Sequence, residues 1–309
     1  MSGPLPDVGN NSPLPEDKQI VASVRRLSGV AARAGPDGKH ILAAVRGFVD
    51  RFDFWYVRVM REAVAKYRVL VVKRINPIIR RIECDGLTAV QTASKLVEDY
   101  NARNFVTAGG WALEALAVRV SKHGQKSTAA GIDVQRIDPV TGDYHLYVLK
   151  SGLVTRNSDI LSALKRNARQ AEKLLRQDGQ NTRVHAHYAI VAGKTESSFE
   201  DGINRPSSAE VWSHMTDLPE RQALDLVLAI AAEAGRLVRR DVSEHLAAMK
   251  VLVADYIADR QNRNAVDWGY LARRNMEGQD AWAEEDKQRH QRALRVLQAT
   301  GYKPAKKGE

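Results

Sequence analysis

The feature that most constrains the fold of this chain is a hairpin encoded by residues 131–150. Two β-prone runs flank the cluster Asp138-Pro-Val-Thr-Gly-Asp143, whose Pro and Gly favour a reversal of the chain. With a loop over 138–143, the antiparallel ladder puts Asp133 opposite Val148 and one diagonal step from Lys150. The spacing therefore predicts an acid and a lysine on one surface of a sheet.

The same ladder assigns a face to each neighbouring side chain, since directly opposed residues and residues two apart share a face. One predicted face holds Asp133, Gln135, Val148 and Lys150. The other holds Ile132, Val134, Tyr147 and Leu149, which we expect to form the core face. A slip of one residue would separate Asp133 from Lys150, so the prediction depends on the length of the loop.

The residues after the hairpin predict a helix and a third strand. Asn157 and Ser158 are N-cap types, and a helical pattern follows them from Asp159 to about Gln177. Residues 184–191 then alternate as a strand does. The resulting β-β-α-β order predicts an α/β domain.

The rest of the chain is mainly helical in pattern. Two helices are predicted before the hairpin, from Thr88 to about Tyr100 and from about Gly110 to Val120, separated at the pair Gly109-Gly110. We expect five segments: a disordered arm over 1–16, a helical N-terminal region over 17–85, a core over 86–215, a helical C-terminal region over 216–300, and a basic tail over 301–309.

The charge of the chain narrows the range of partners. Its net charge is +10 and its pI about 9.7, which favours a polyanionic partner, with nucleic acid first and an anionic membrane surface second. The single cysteine excludes a disulfide framework and a cysteine-based zinc site. Without a signal peptide or a long apolar run, a soluble cytoplasmic protein is expected.

The predicted acid and lysine suit metal-dependent phosphodiester hydrolysis. Mg²⁺ prefers hard oxygen ligands, and Asp133 would be the central one, with the main-chain carbonyl of Leu149 completing the coordination. Lys150 could orient or deprotonate the attacking water and stabilise charge on phosphorus. A second carboxylate is expected from Glu114, because helical spacing stacks it with Trp111 and Val118, an unusually apolar setting for an acid.

Two simpler interpretations remain open for these residues. Asp133 and Lys150 could form an ordinary cross-strand ion pair on a solvated face. Glu114 could be a helix residue at the edge of solvent. For His185 and His187, which share a strand face, the sequence offers no third ligand with suitable spacing, and a structural role is favoured.

A stripe of basic residues on the predicted helix after the hairpin is a candidate DNA contact. Lys165, Arg166, Arg169 and Lys173 recur at steps that gather much of their charge on one side. Arg156 and Asn157, in the loop after Lys150, would lie near the scissile phosphate. A solvated basic face is the alternative.

Several strings in the chain resemble the PmeII-type family of type II restriction endonucleases, in the PD-(D/E)XK nuclease superfamily. They run in the family's order and read Asn76-Pro-Ile-Ile-Arg80, Gly110-Trp-Ala-Leu-Glu114, Gly131-Ile-Asp133, Tyr147-Val-Leu-Lys-Ser-Gly152, Asn157-Ser158 and Glu210-Val-Trp212. The resemblance implies a restriction-endonuclease-like α/β core, a mixed central sheet flanked by helices, with helical N- and C-terminal extensions. It makes 86–215 the nuclease core.

The resemblance also implies an activity and a set of roles. It implies Mg²⁺-dependent cleavage of double-stranded DNA by a homodimer, in restriction or phage defence, with a methyltransferase or another defence component as a partner. Asp133 takes the metal-binding acid position, Lys150 the catalytic lysine and Glu114 the acid on the helix before the sheet. Possible supporting residues are Gln135, Ser151 and Asn157.

Two departures from the superfamily pattern keep other functions open. Val148 stands where the pattern has Asp or Glu, and Gln135 stands where such strings often carry a second acid. A DNA-binding protein with a degenerate nuclease site is therefore one alternative. A nuclease that acts on RNA or single strands is another.

Overall fold

We analysed a computed structural model of the chain, which describes residues 38–73, 75–127, 131–152, 158–177, 182–276 and 283–302. The predicted arm over 1–16 lies outside these residues, and so does most of the predicted tail. Contacts within the chain divide it into two compact units. Among the described residues, the first unit holds 53–106 and 239–302, and the second holds 38–52 and 107–238.

Helices make up most of both units. In chain order they are α1 Gly38–Phe52, a π-helical turn Asp53–Val57, α2 Arg58–Ala65, α3 Tyr67–Lys73, α4 Pro77–Glu83, α5 Ala89–Val120, α6 Ser158–Gln177, α7 Ser208–Thr216, α8 Glu220–Ile257, α9 Trp268–Met276 and α10 Ala283–Ala299. Within the described part of the chain, no helix combines the length and the apolar character needed to cross a membrane.

The second unit is built on a six-stranded mixed sheet. Its strands are β1 Gly124–Lys126, β2 Val134–Ile137, β3 Tyr144–Lys150, β4 Val184–Ile190, β5 Ser198–Glu200 and β6 Ile203–Arg205, in the spatial order β1-β2-β3-β4-β6-β5. The β3–β4 and β4–β6 pairs are parallel and the others antiparallel. This sheet with its flanking helices confirms the predicted α/β fold and the β-β-α-β order.

The hairpin turn forms where the turn residues predicted it. The carboxylate of Asp138 accepts hydrogen bonds from the amides of Val140 and Thr141, at 2.8 and 2.9 Å, and its main chain pairs with that of Asp143. Gly142 has a φ of 75°, a left-handed conformation that glycine adopts without steric cost. The loop therefore has the assumed length, and the predicted pairing holds from the turn back to Val134, which lies opposite Tyr147.

The ladder departs from the prediction at Asp133. Its amide donates to the carbonyl of Tyr147, at 2.9 Å, although Tyr147 is already the partner of Val134. Two residues of one strand thus oppose one of the other, as in a β-bulge, which kinks a strand and redirects a side chain. The expectation that Asp133 lies opposite Val148 is wrong for this reason.

The bulge also changes the predicted faces of the sheet. Ile132 and Val148 were expected on opposite faces, but both pack in one buried cluster with Leu164 of α6. Val148 is only 3% exposed. The neighbouring residue, Tyr147, points to the other face and is buried as well. Strand β3 is therefore covered on both faces.

A single helix, α5, replaces the two helices predicted before the hairpin. It continues through Gly109 and Gly110 without a break. Glycine in a helix interior costs about 1 kcal/mol relative to alanine, which a long helix anchored by buried residues on both sides tolerates. Ala108, Ala112 and Leu116 are such residues, each fully buried.

The first unit has its own helical core. Its largest buried side chains include Tyr67, Leu96, Tyr256 and Tyr270. At its edge, Asn76 caps α4 by accepting hydrogen bonds from the amides at 78 and 79, and Pro77 occupies the first helical turn. The Asn-Pro string of the sequence is therefore a helix start.

Candidate active site

The carboxylate of Asp133 lies at the point where the bulge interrupts β2. Its Oδ2 accepts a hydrogen bond from the amide of Leu149, at 2.7 Å. Burial raises the pKa of Asp133 to about 6, against an ordinary value of 3.8. The Leu149 amide and two nearby lysines lower this pKa, and the negative charge of Glu114 raises it. Asp133 is therefore a partly buried acid among charged neighbours, as is common at functional sites.

The main-chain carbonyl of Leu149 is directed to the same side as Asp133. The neighbouring carbonyl, of Lys150, accepts from the amide of Val191 on the β4 side. Successive residues of a strand direct their peptide groups to opposite sides, so Leu149 directs both its amide and its carbonyl away from β4 and towards β2. The carbonyl predicted as a ligand thus lies on the side of β3 where the Asp133 carboxylate is bound.

Glu114 reaches this area from α5. The turn that carries it lies against the end of β3, because a Cβ atom at Gly110 would be 3.7 Å from the Oγ atom of Ser151. The Glu114 side chain is 22% exposed, and its Oε1 atom lies 3.1 Å from the Nζ atom of Lys126 on β1. The part-buried glutamate therefore has a cationic partner in this structure.

Two lysines act on Asp133 from different strands. Lys150, at the end of β3, and Lys126, at the end of β1, are both near enough for their charges to lower its pKa. The structure thus brings the predicted Glu114, Asp133 and Lys150 into one electrostatic neighbourhood. Sequence reasoning missed Lys126, because β1 is only three residues long and carries no strand periodicity to reveal it.

Of the other predicted site residues outside α6, two lie in the described part of the chain and two do not. Gln135 lies within β2, between Gln125 of β1 and Leu146 of β3, and Ser151 is exposed just after β3. Arg156 and Asn157 lie outside the described residues.

The basic stripe on α6 is mainly at the surface. Arg166, Arg169 and Lys173 are exposed, whereas Leu164 packs in the buried cluster beneath the helix. Lys165 pairs with Asp201, with 3.2 Å between Nζ and Oδ2. Three of the four predicted cations on this helix are thus available to a polyanion.

A comparison with family models gives one match. Residues 48–236 match the family model described as type II restriction endonuclease EcoO109I. The chain belongs to this restriction endonuclease family. The match covers more than half of the 309 residues and includes the whole sheet and both acids of the site. A search of curated proteins found no match.

Membership of the restriction endonuclease family makes this chain a nuclease of the type II restriction type. Such enzymes act on double-stranded DNA and generally use a divalent metal ion. The match carries the EcoO109I description, so it supports the restriction endonuclease part of the sequence resemblance without reaching the narrower PmeII type.

The donors of this restriction endonuclease fit a hard divalent ion. Two carboxylates and a main-chain carbonyl are all oxygen ligands, and Mg²⁺ is commonly held by one or two carboxylates with water and phosphate as the remaining ligands. Among the described residues, no group of three or more His, Cys, Asp or Glu side chains is arranged to hold a metal ion. A metal at this site would therefore depend on the Leu149 carbonyl, water and the substrate to complete its coordination.

The missing acid of the superfamily pattern has a structural explanation in this family member. Val148 lies in the apolar cluster beneath α6, where it packs with Ile132 and Leu164 and where burial of a carboxylate would be costly. Glu114 is the carboxylate that instead acts on Asp133.

A histidine cluster lies on the same sheet. His145 Nδ1 and His187 Nε2 are 2.9 Å apart, and the His187 ring stacks on Tyr147 with centroids 4.4 Å apart. Burial lowers the pKa of His145 to about 4 and that of His187 to about 2, so both rings are neutral at pH 7. His185 is hydrogen-bonded to Asp143 at 3.2 Å.

Proposed function

We propose that this protein is a Mg²⁺-dependent endonuclease that hydrolyses phosphodiester bonds of double-stranded DNA. The observation that carries the proposal is the convergence of Asp133, Glu114 and the peptide group of Leu149 with two lysines at the end of β3. A group of oxygen donors with two ammonium groups near it suits a substrate that brings a phosphate and an ion together.

Each residue has a distinct role in the proposed reaction. Asp133, Glu114 and the Leu149 carbonyl would hold the ion, and the bound ion would neutralise charge on the phosphate and activate it towards attack. Lys150 would orient the attacking water and stabilise the charge that develops on phosphorus. The Leu149 amide donates to the Asp133 carboxylate and so fixes its orientation, and ionised Asp133 would hold the ion from that position.

Binding of DNA is assigned to the surface of α6. Arg166, Arg169 and Lys173 would contact phosphates, with Lys165 joining them on release from Asp201. By the sequence alone, Arg156 and Asn157 are further candidates for contact with the scissile phosphate, and Gln135 and Ser151 are proposed to support the acids. The remaining parts of the proposal are a PmeII-like homodimer and a role in restriction or phage defence, with a methyltransferase or other defence component as partner.

A cleavage assay tests the proposal directly. Diverse duplex DNA, including phage genomes, is incubated with the purified protein with and without Mg²⁺, beside the variants Asp133→Asn and Lys150→Met. We expect discrete Mg²⁺-dependent fragments from the wild type and a loss of at least about 100-fold in each variant. Lys66→Gln, which removes the lysine of an exposed Lys–Glu pair in the first unit, is the control and should cut normally. Undiminished cutting by both site variants would refute the assignment.

A DNA-binding protein with a degenerate site is the second candidate. The observation that favours it is the burial of Val148, which removes one acid that the superfamily pattern provides. Under this alternative, DNA binding withstands changes at Asp133 and no duplex is cut in Mg²⁺. Adding single-stranded DNA and RNA to the same assay identifies a nuclease with a different substrate.

A further inference from the structure

Lys126 forms an ion pair with Glu114, one of the two carboxylates that we propose as metal ligands. Its ammonium group therefore lies where a metal ion would be expected. The pair joins Nζ to Oε1 at 3.1 Å, and Lys126 is the last residue of β1, where it is paired in register with Val134. Val134 directly follows Asp133. The lysine therefore projects from the strand beside the bulge towards the acid on α5.

Lys126 acts on both acids. It contacts Glu114 directly, and its charge also acts on the Asp133 carboxylate, as does that of Glu114. A cation beside two interacting carboxylates offsets their mutual repulsion. The ammonium group of Lys126 provides that charge from the solvent side, where its side chain is 49% exposed.

We propose that Lys126 is a positioning residue that holds Glu114 in the metal-free site and is exchanged for the divalent ion when the ion binds. The proposal rests on the function proposed above, because it needs Glu114 to be a metal ligand. Lys126 would then be free to swing into solvent or towards a DNA phosphate.

The exchange is favoured because an exposed ion pair is weak and a lysine side chain is flexible. A half-exposed Lys–Glu pair contributes little, whereas a divalent ion gains from both carboxylates at once. Lysine has a long flexible side chain with a strongly hydrated ammonium group, which leaves a carboxylate more easily than the bidentate guanidinium of an arginine does. The remaining ammonium charge still repels a divalent ion and so weakens its binding.

The test is binding of Mg²⁺ in the absence of DNA, measured by isothermal titration calorimetry on the full chain. Lys126→Gln removes the charge and keeps a long polar side chain. We expect its affinity for Mg²⁺ to be about threefold to tenfold higher than that of the wild type, since a neighbouring positive charge is lost. Lys126→Arg keeps the charge and should bind Mg²⁺ no more tightly than the wild type.

Two further variants make the outcomes distinguishable. Lys66→Gln breaks a matched exposed Lys–Glu pair, of 3.0 Å, and should leave the affinity unchanged. Asp133→Asn should weaken Mg²⁺ binding at least tenfold. If it does not, the proposed metal site itself fails. If Asp133→Asn weakens Mg²⁺ binding but Lys126→Gln leaves the affinity unchanged or lowers it, only the proposed exchange is overturned. The exchange is also overturned if Lys126→Arg raises the affinity as much as Lys126→Gln does.

Discussion

Replacing Asp133 by asparagine is expected to stabilise the metal-free protein at pH 7.5, even though it should strongly reduce the proposed activity. The folded-state pKa of Asp133 is about 6, above its ordinary value of 3.8, chiefly because burial disfavours the charged form. Between these two values the folded chain holds more protons than the unfolded chain. Stability therefore falls as the pH rises through this window and stays reduced above pH 6.

The size of the effect follows from the shift. Two pKa units correspond to about 3 kcal/mol, and partial hydration of the site reduces this to an expected gain of about 1–3 kcal/mol in the free energy of unfolding. Asparagine retains an oxygen that can accept the hydrogen bond from the Leu149 amide, so that contact need not be lost. For a unit of this size, the gain corresponds to a rise of about 3–10 °C in the unfolding midpoint.

Differential scanning calorimetry in EDTA, at pH 7.5 and pH 4, measures the effect. The variant should gain stability at pH 7.5 and very little at pH 4, where the wild-type carboxyl is already largely protonated. Asp143→Asn is the matched control, because the hydrogen bond to His185 lowers the pKa of Asp143, so that the change should destabilise the protein at pH 7.5. An equal gain for Asp133→Asn at both pH values, or no gain at pH 7.5, would refute the argument.

Three more predictions follow from the same structure. Affinity for Mg²⁺ should fall up to about tenfold per pH unit below pH 6, as the buried carboxylate becomes protonated, and a calorimetric affinity that is constant from pH 7 to 5 would contradict this. Changing Arg166, Arg169 and Lys173 together to glutamine should weaken the salt dependence of duplex binding. The slope of the logarithm of the binding constant against the logarithm of salt concentration should decrease in magnitude by about 0.9 for each lost phosphate contact, and an unchanged slope in fluorescence anisotropy would exclude this surface. Gly109→Ala should raise the free energy of unfolding by about 0.5–1 kcal/mol, because a Cβ there meets open space in a helix interior. Gly142→Ala should lower it, because Gly142 has a φ of 75°, which a residue with a Cβ adopts only with strain. Chemical denaturation of both glycine variants compares the two signs.

The elements with strong local signals were predictable. The turn over 138–143 was placed correctly because Asp138 and Gly142 satisfy the backbone locally, whatever the rest of the chain does. The helix from 158 to 177 has one apolar side, and it too formed as expected. Local hydrogen bonds and periodicity determine such elements, so the sequence near them is sufficient.

The break predicted at Gly109-Gly110 was wrong for a tertiary reason. Glycine has a low intrinsic helix propensity, but burial of α5 on both sides of the pair outweighs the cost. A pattern of residues reports the local cost alone. The packing that offsets it comes from parts of the chain far away in sequence.

The proposed site likewise has parts that the sequence predicts and parts that only the tertiary structure determines. The sequence by itself determined the hairpin turn between Asp133 and Lys150, and it predicted Glu114 from an apolar setting that is unusual for an acid. Only the tertiary structure decided how they meet. The bulge turned the Asp133 carboxylate onto the Leu149 amide, the short edge strand β1 brought Lys126 to Glu114, and the burial of Val148 removed that position from the site. Hydrogen bonds in a turn are local, whereas a bulge, an edge strand and a buried face depend on contacts between residues distant in the chain, which no local pattern encodes.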